Sequence, residues 1–376
     1  MSVNSSKSKW VRLGDYIEEF DVRNSDKKIK MVKSVSVTKE FKETNAKVNK
    51  EELQGYKLVP PFHLSYVQTT KNEKCFANAL NTTNETYVVT QVNKVLFVKN
   101  PKVLNIEYLS LIFKGEEFDR YAIFNSWGSA RETFDWSEFR RIQIPLPDPN
   151  IQQELVDTYN GLKALAEQNE ALIKPLNEAC QAYIVDCKKK YPEVKLGEYI
   201  DFYYEKNSDC QITLEQGINI DKVFITPHRP NSDLSSRIIV RKGQFAYCTQ
   251  LNNENVAIAY RKGDDCVVSP VYKAFEIKQQ YKNKLFPEYL FLWLKRKEFG
   301  RYVYWRSVGS AYEFLQEENI KEYKIPLPPP DVQQAIVDIY NCAEEAKKIA
   351  NEAREKMKML CPALVQRAIN TTHKLQ

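Results

Sequence analysis

The chain is short of the residues from which many catalytic sites are built. Three histidines in 376 residues, His63, His228 and His373, are too few and too scattered for a histidine metal site or a histidine-dependent triad. Its eleven glycines are spread thin, and no G-x-x-x-x-G-K-[ST] run exists to cradle a phosphate. The eight cysteines (Cys75, Cys180, Cys187, Cys210, Cys248, Cys266, Cys342, Cys361) form no C-x-x-C pair, which argues against a zinc knuckle and a disulfide framework. Cys180 and Cys187, seven apart, read as core or seam thiols rather than as a metal pair. No apolar run approaches the roughly 20 residues of a membrane helix. Met1 to Trp10 is polar, with no hydrophobic signal core, so no membrane association and a cytoplasmic location are expected.

Familiar enzyme motifs are missing as well. An amino-methyltransferase needs a polar residue, two prolines and an aromatic, so that the polar oxygen accepts from the amine being methylated. The nearest stretch, Val59-Pro60-Pro61-Phe62, puts valine at that place and is expected to be a turn with a packed phenylalanine. Carboxylates are plentiful, yet Asp148 is followed by no nearby Glu-x-Lys of a metal nuclease. The sequence points to no catalytic centre.

What the chain does have is a duplication. Ile144-Pro-Leu-Pro-Asp-Pro-Asn-Ile-Gln-Gln returns as Ile325-Pro-Leu-Pro-Pro-Pro-Asp-Val-Gln-Gln, 181 residues on. Val11-Arg-Leu-Gly-Asp-Tyr-Ile17 returns as Val194-Lys-Leu-Gly-Glu-Tyr-Ile200, and Arg23-Asn-Ser-Asp26 as Lys206-Asn-Ser-Asp209. Val88-Val89-Thr90 with Lys94 matches Val267-Val268-Ser269 with Lys273. Ser126, Gly128-Ser129-Ala130 and Glu132 match Ser307, Gly309-Ser310-Ala311 and Glu313. Small drifts in offset imply loop insertions on a shared framework. Residues 72–84 and 225–236 are private to their copies, as expected of related modules that read different things.

The patterning is that of an α+β module. Alternation marks strands over Val32–Val37, Tyr87–Val98, Glu215–Ile220 and Cys266–Ile277. Helical stripes rich in Leu, Phe and Tyr cover Ile106–Phe124 and Pro287–Tyr304 and read as core. The prolines keep residues 145–149 extended, which places Asn150 and Asp331 at helix N-caps. Two long helical patterns follow. Leu155, Leu162, Asn169 and Leu176 fall at sevens, with Tyr183 next and Tyr159, Ala166, Ile173, Cys180 and Cys187 beside them. The second runs through Ile336, Ala343, Ala350, Met357 and Leu364. These are heptad seams, and Asn169 is a polar member of the kind that fixes register. If continuous, about forty residues would span roughly 60 Å, although Pro175 and Pro362 argue for a kink or break in each. Antiparallel pairing that holds the modules apart is the simplest arrangement.

This order of module, IPLP…QQ helix, module and IPLP…QQ helix resembles the specificity subunit of type I restriction-modification systems, over essentially the whole chain. The resemblance implies two pseudo-symmetric α+β target recognition domains separated by two long antiparallel coiled-coil helices. Residues 1–147 would be the first recognition domain, 148–190 the central spacer helix, 191–328 the second domain and 329–376 the distal spacer helix. It also implies that each domain reads half of a split site in double-stranded DNA. The helices would set the spacing and dock two methyltransferase subunits, with restriction and translocase subunits completing the complex. No cofactor is then expected in this chain: S-adenosylmethionine belongs to the methyltransferase partner, ATP and Mg to the restriction partner.

Charge agrees weakly, with 55 Lys and Arg against 49 Asp and Glu, a net charge of +6. Base edges and phosphates are met by Arg, Lys, Asn, Gln and hydroxyl side chains. On that chemistry the candidates in the first module are Gln68, Thr69, Thr70, Lys71, Asn72 and Lys74, with Ser129 and Arg131 in its Gly-Ser-Ala loop. In the second they are Arg229, Arg237, Arg241 and Lys242 from a stretch of six cations against Asp233 and Glu254, then Thr249, Gln250, Asn252 and Asn253, with Ser310 and Tyr312. Solvated loops or structural turns are the alternative for each. Arg23, Lys206, Arg120 and Arg301 read as ordinary surface ion pairs. Three other functions stay open: a duplicated coiled-coil protein-interaction scaffold that never touches DNA, a stand-alone modification enzyme, and the recognition part of a related bipartite nuclease-methylase.

Overall fold

The computed structural model describes residues 9–44, 48–49, 52–69, 75–128, 132–227, 229–251, 254–307 and 314–372, with side chains described through residue 360. It divides into two units, Met1–Asn169 with Lys348–Gln376, and Glu170–Lys347.

In the first unit a four-stranded antiparallel sheet runs in the order Ile17–Glu19, Asn93–Val98, Leu64–Val67, Asn78–Leu80. Helices α1 (Ile106–Lys114), α2 (Glu116–Phe124) and α3 (Trp136–Arg141) bury Leu109, Phe113, Phe118, Ala122 and Phe139 in one core with Leu64, Tyr66 and Leu96 from the sheet. Strand Gln143–Leu146 then pairs antiparallel with Lys9–Arg12 and leads into helix α4 (Pro149–Lys190).

The second unit repeats the plan. Its sheet runs Ile200–Tyr203, Tyr272–Ile277, Phe245–Cys248, Ile258–Tyr260. Helices α5 (Pro287–Lys295), α6 (Lys297–Arg306) and α7 (Glu317–Lys321) contribute Leu290, Trp293, Phe299, Val303 and Ile320 to a core with Phe245, Tyr247 and Phe275. Strand Lys324–Pro326 pairs with Glu193–Lys195 and leads into α8 (Pro330–Thr372).

The repeated words of the sequence are joints. Ile144 and Ile325 are buried strand residues, and the carbonyls of Pro145 and Pro326 accept from the hydroxyls of Tyr108 and Tyr289 at 2.9 and 3.1 Å. The first glutamine of each pair, fully buried, clamps a helix onto its module. Gln152 Nε2 donates to the carbonyls of Val103 and Pro147, both at 2.9 Å, while its Oε1 accepts from Asn105 N. Gln333 does the same with Lys284, Pro328 and Phe286. The repeated Leu-Gly is a close approach: a Cβ on Gly14 or Gly197 would lie 2.8 Å from Arg140 or Lys321. The repeated asparagines, Asn24 and Asn207, each hold the backbone five residues on through both side-chain atoms.

Several expectations need correction. Pro149 and Pro330 are the first helical residues, so Asn150 and Asp331 lie inside the first turn instead of capping it. A proline suits that place because its missing N–H would be unpaired there and its φ is already helical. In the first copy Asp148 precedes it, its carboxylate accepting from Asn150 N at 2.9 Å. Pro175 and Pro362 break neither long helix: α4 passes through Pro175, and α8 is unbroken to Thr372. The long strand expected over Tyr87–Val98 is two strands, Tyr87–Val89 and Asn93–Val98, which pair in different sheets, and Cys266–Ile277 divides likewise. The helical stripes also split, at Gly115 and Arg296, where the backbone turns extended.

The seam of α4 is deeper along the companion column than along the one read as its axis. Ala166, Cys180 and Cys187 are buried, whereas Leu155, Leu162, Asn169 and Leu176 are half-buried and Tyr183 is exposed. Asn169 donates to the Leu165 carbonyl of its own helix at 2.8 Å. On α8, Ile336, Ala343, Ala350 and Met357 are all buried. Within the second unit the two helices meet directly, the Cys180 thiol 3.8 Å from the Ile336 carbonyl, and burial pushes that thiol up to about 11.

Candidate nucleic-acid interface

In each module the fold joins two loops that are distant in sequence. The strand Leu64–Val67 ends at Gln68, whose carbonyl accepts from Phe134 N at 2.8 Å, and Thr69 bridges Thr133. Thr133 in turn exchanges two backbone hydrogen bonds with Trp127. The second module repeats this pairing. Leu315 N donates to the Thr249 carbonyl at 2.7 Å, and Gln250 bridges Phe314. The loop that follows the sheet and the loop that follows the second helix thus share one place on each module.

The candidates fall unevenly on this frame. Thr69 and Gln250 are exposed and Gln68 is half-buried. Thr249 is half-buried, with its hydroxyl committed to the Val271 carbonyl at 2.8 Å. Thr70, Lys71, Asn72, Lys74, Ser129, Arg131, Asn252, Asn253, Ser310 and Tyr312 lie outside the described residues. The basic stretch does not form one patch. Arg237 is held by Glu215 at 2.7 Å with both side chains nearly buried, and Arg241 is bound by Glu205 and, at 2.9 Å, by Asp265. These carboxylates lie outside the stretch in sequence, which is why a window of residues 228–262 looked strongly basic. The Arg241 guanidinium holds the Asp265 carboxyl below its ordinary range. Arg241 and Lys242 also lie at the start of strand Phe245–Cys248, whereas Thr249 and Gln250 follow its end. Arg229 and Lys242 are exposed, and Lys242 N donates to Asp265 at 2.8 Å.

Of the four side chains read as surface ion pairs, Arg120 pairs with Glu117 and Arg301 lies 3.5 Å from Glu298, while Arg23 instead donates to the Gly55 carbonyl at 3.1 Å. Phe62 departs from expectation: it sits in a turn at φ 56° but is 54% exposed rather than packed.

Sequence reasoning missed the aromatic rim. Phe124 ends the first stripe read as core and Trp305 directly follows the second, 181 residues apart, and both are 81% exposed. Trp127 is 72% exposed beside the first loop pair. Both aromatics lie where the second helix of each pair ends, at Phe124 and Arg306. The signal available was position: an aromatic at the end of each stripe or just past it, in register across the duplication. Exposed aromatics beside amide and hydroxyl side chains can stack on bases and hydrogen-bond their edges.

The geometry therefore defines a class: a duplicated α+β chain in which each copy pairs the end of one sheet strand with the segment that precedes its third helix. Residues 189–356 match the family model described as Type I restriction modification DNA specificity domain. Comparison with curated proteins gives no match. Among solved structures, the Type-I restriction-modification system S subunit from M. genitalium is similar over 98% of both chains, with a TM-score of 0.57 at 13% identity. The HsdS subunit from Thermoanaerobacter tengcongensis is 16% identical over 97% of each chain, with a TM-score of 0.43. The first likeness extends the fold over the whole chain. The sequence match thus covers the second copy, and the fold of the M. genitalium S subunit covers the whole chain. Among the described residues no helix is long and apolar enough to cross a membrane.

Proposed function

We propose that this chain is the DNA-recognition subunit of a type I restriction-modification complex, each module reading one half of a split site while α4 and α8 set the half-site spacing and dock methyltransferase subunits. The observation that carries the reading is the duplicated loop pair: the same backbone pairing presents Gln68 and Thr69 in one module and Thr249 and Gln250 in the other. A shared frame with different residues at the same place is what two readers of different sequences require. Two modest readers joined by a stiff connection bind as one ligand when the half-sites match its span, and lose that advantage when they do not. The methyl donor S-adenosylmethionine is then carried by the modification partner, ATP and Mg by the restriction partner, and none by this chain.

The test is to map methylated sites in DNA from cells that express the chain with its modification subunit. A split, asymmetric motif is expected. Gln250→Ala should relax one half of that motif, at about 1 to 3 kcal/mol for the base it reads, and leave the other half intact. A continuous motif, or relaxation of both halves together, contradicts the reading.

A further inference from the structure

The two modules are unlike at one lysine, buried in the first and half-buried in the second. Lys39 and Lys222 occupy corresponding places, both at φ 61°. Their amino groups donate to corresponding carbonyls near the ends of α1 and α5, Lys39 to Phe113 at 2.8 Å and Lys222 to Leu294 at 2.6 Å. Lys39 is neutralised by Asp119 at 2.8 Å. The residue in the place of Asp119 is Gly300, and a Cβ there would come within 2.1 Å of the Glu254 carbonyl, so no carboxylate can be carried at that position. Burial, together with the nearby Lys295 charge, pushes Lys222 down to about 8.

Lys222 faces an open cavity of about 680 Å³. Four cations, Lys222, Lys295, Arg296 and Lys297, line it against one described carboxylate, Glu254. Lys295 donates to the Tyr340 hydroxyl at 2.7 Å, and Arg296 lies 3.2 Å from both Gln181 and Glu298. Lys222 and the exposed Lys297 are therefore the cations best placed to receive an anion. The cavity also adjoins the loop pair, since Asn255 on its wall follows the Gln250 loop and Tyr304 on its rim precedes Trp305. A nucleic acid strand crossing those loops would carry its phosphates past this opening.

We propose that this cavity seats a backbone phosphate of the DNA read by the second module, with Lys222 and Lys297 as phosphate contacts, and that the first module has no equivalent because Asp119 already satisfies Lys39. The inference rests on the reading of the chain as a DNA-recognition subunit. A phosphate contact grips every sequence alike and supplies salt-dependent affinity rather than base choice.

The experiment measures duplex binding by the chain assembled with its modification subunits, over a range of salt concentration, for wild type and Lys222→Met. With one phosphate fewer gripped, the slope of log affinity against log salt becomes shallower by about 0.9, equally on matched and mismatched duplexes. An unchanged slope overturns the proposal. Weakened assembly with the modification subunit in the absence of DNA, at an unchanged slope, would make the occupant an acidic protein surface and also overturn it. Should Lys222→Met fail to fold, Lys297→Ala on the exposed rim gives the same readings with the same meaning. If wild type shows no salt-dependent duplex binding, the DNA-recognition reading itself falls, and this inference with it.

Discussion

Tyr66 and Tyr247 stand at equivalent places in the two sheets, two residues before the candidate loops, and their hydroxyls are buried with no hydrogen-bond partner among the described residues. Burial raises both phenols well above their ordinary range. An unpaired buried hydroxyl costs about 1 to 3 kcal/mol. Tyr66→Phe and Tyr247→Phe should therefore each leave stability unchanged or raise it by about 1 kcal/mol, read as a shift in the urea midpoint. A loss of more than about 1 kcal/mol would mean that the hydroxyl is satisfied after all. At this scale the sequence was most legible where residues repeat. Gln152 and Gln333, Tyr108 and Tyr289, and Asn24 and Asn207 recur because each pair performs one buried joint in two copies. The candidate readers are hard to find for the same reason inverted, since residues that differ between modules leave no repeat to notice. Composition windows mislead as well, because the carboxylates that bind Arg237 and Arg241 come from elsewhere in the chain.

Among the elements, α4 carries a proline that its length does not betray. Pro175 lies inside the 42-residue helix and is exposed, where it removes one backbone hydrogen bond and crowds the carbonyl four residues before it. Pro175→Ala should raise stability by up to about 3 kcal/mol in thermal or chemical unfolding. A destabilised variant would show that the packing of α4 depends on the path the proline imposes. Proline chemistry was read correctly in kind but not in place. It did mark the strand-to-helix joint, yet Pro149 and Pro330 proved to open the helices, because a first-turn residue has no N–H bond to lose. Strand alternation was legible as well, but not the change of sheet between Val89 and Asn93, since both strands are apolar on the same beat and only tertiary pairing separates them.

For the whole molecule, the duplication was visible in the sequence and the α+β class followed from it. What one chain could not reveal is which side chains meet a base, because that depends on loops whose geometry is private to each module. The heptad columns of α4 and α8 were likewise legible as a seam, although burial ranks the Ala166, Cys180 and Cys187 column above the Leu155 column. Small side chains on α8, Ala343, Ala346, Ala350 and Ala353, are all buried and permit close helix approach. In the proposed function this seam does more than hold a fold together, since its length becomes part of what is recognised. B-DNA presents its major groove to one side every ~34 Å, so a change in connector length alters both distance and facing. The most direct measurement removes four residues, about one helical turn, from each of α4 and α8 and maps the methylated motif again. The account predicts the same two half-sites with a changed gap, or loss of modification; an unchanged gap with full modification would contradict it.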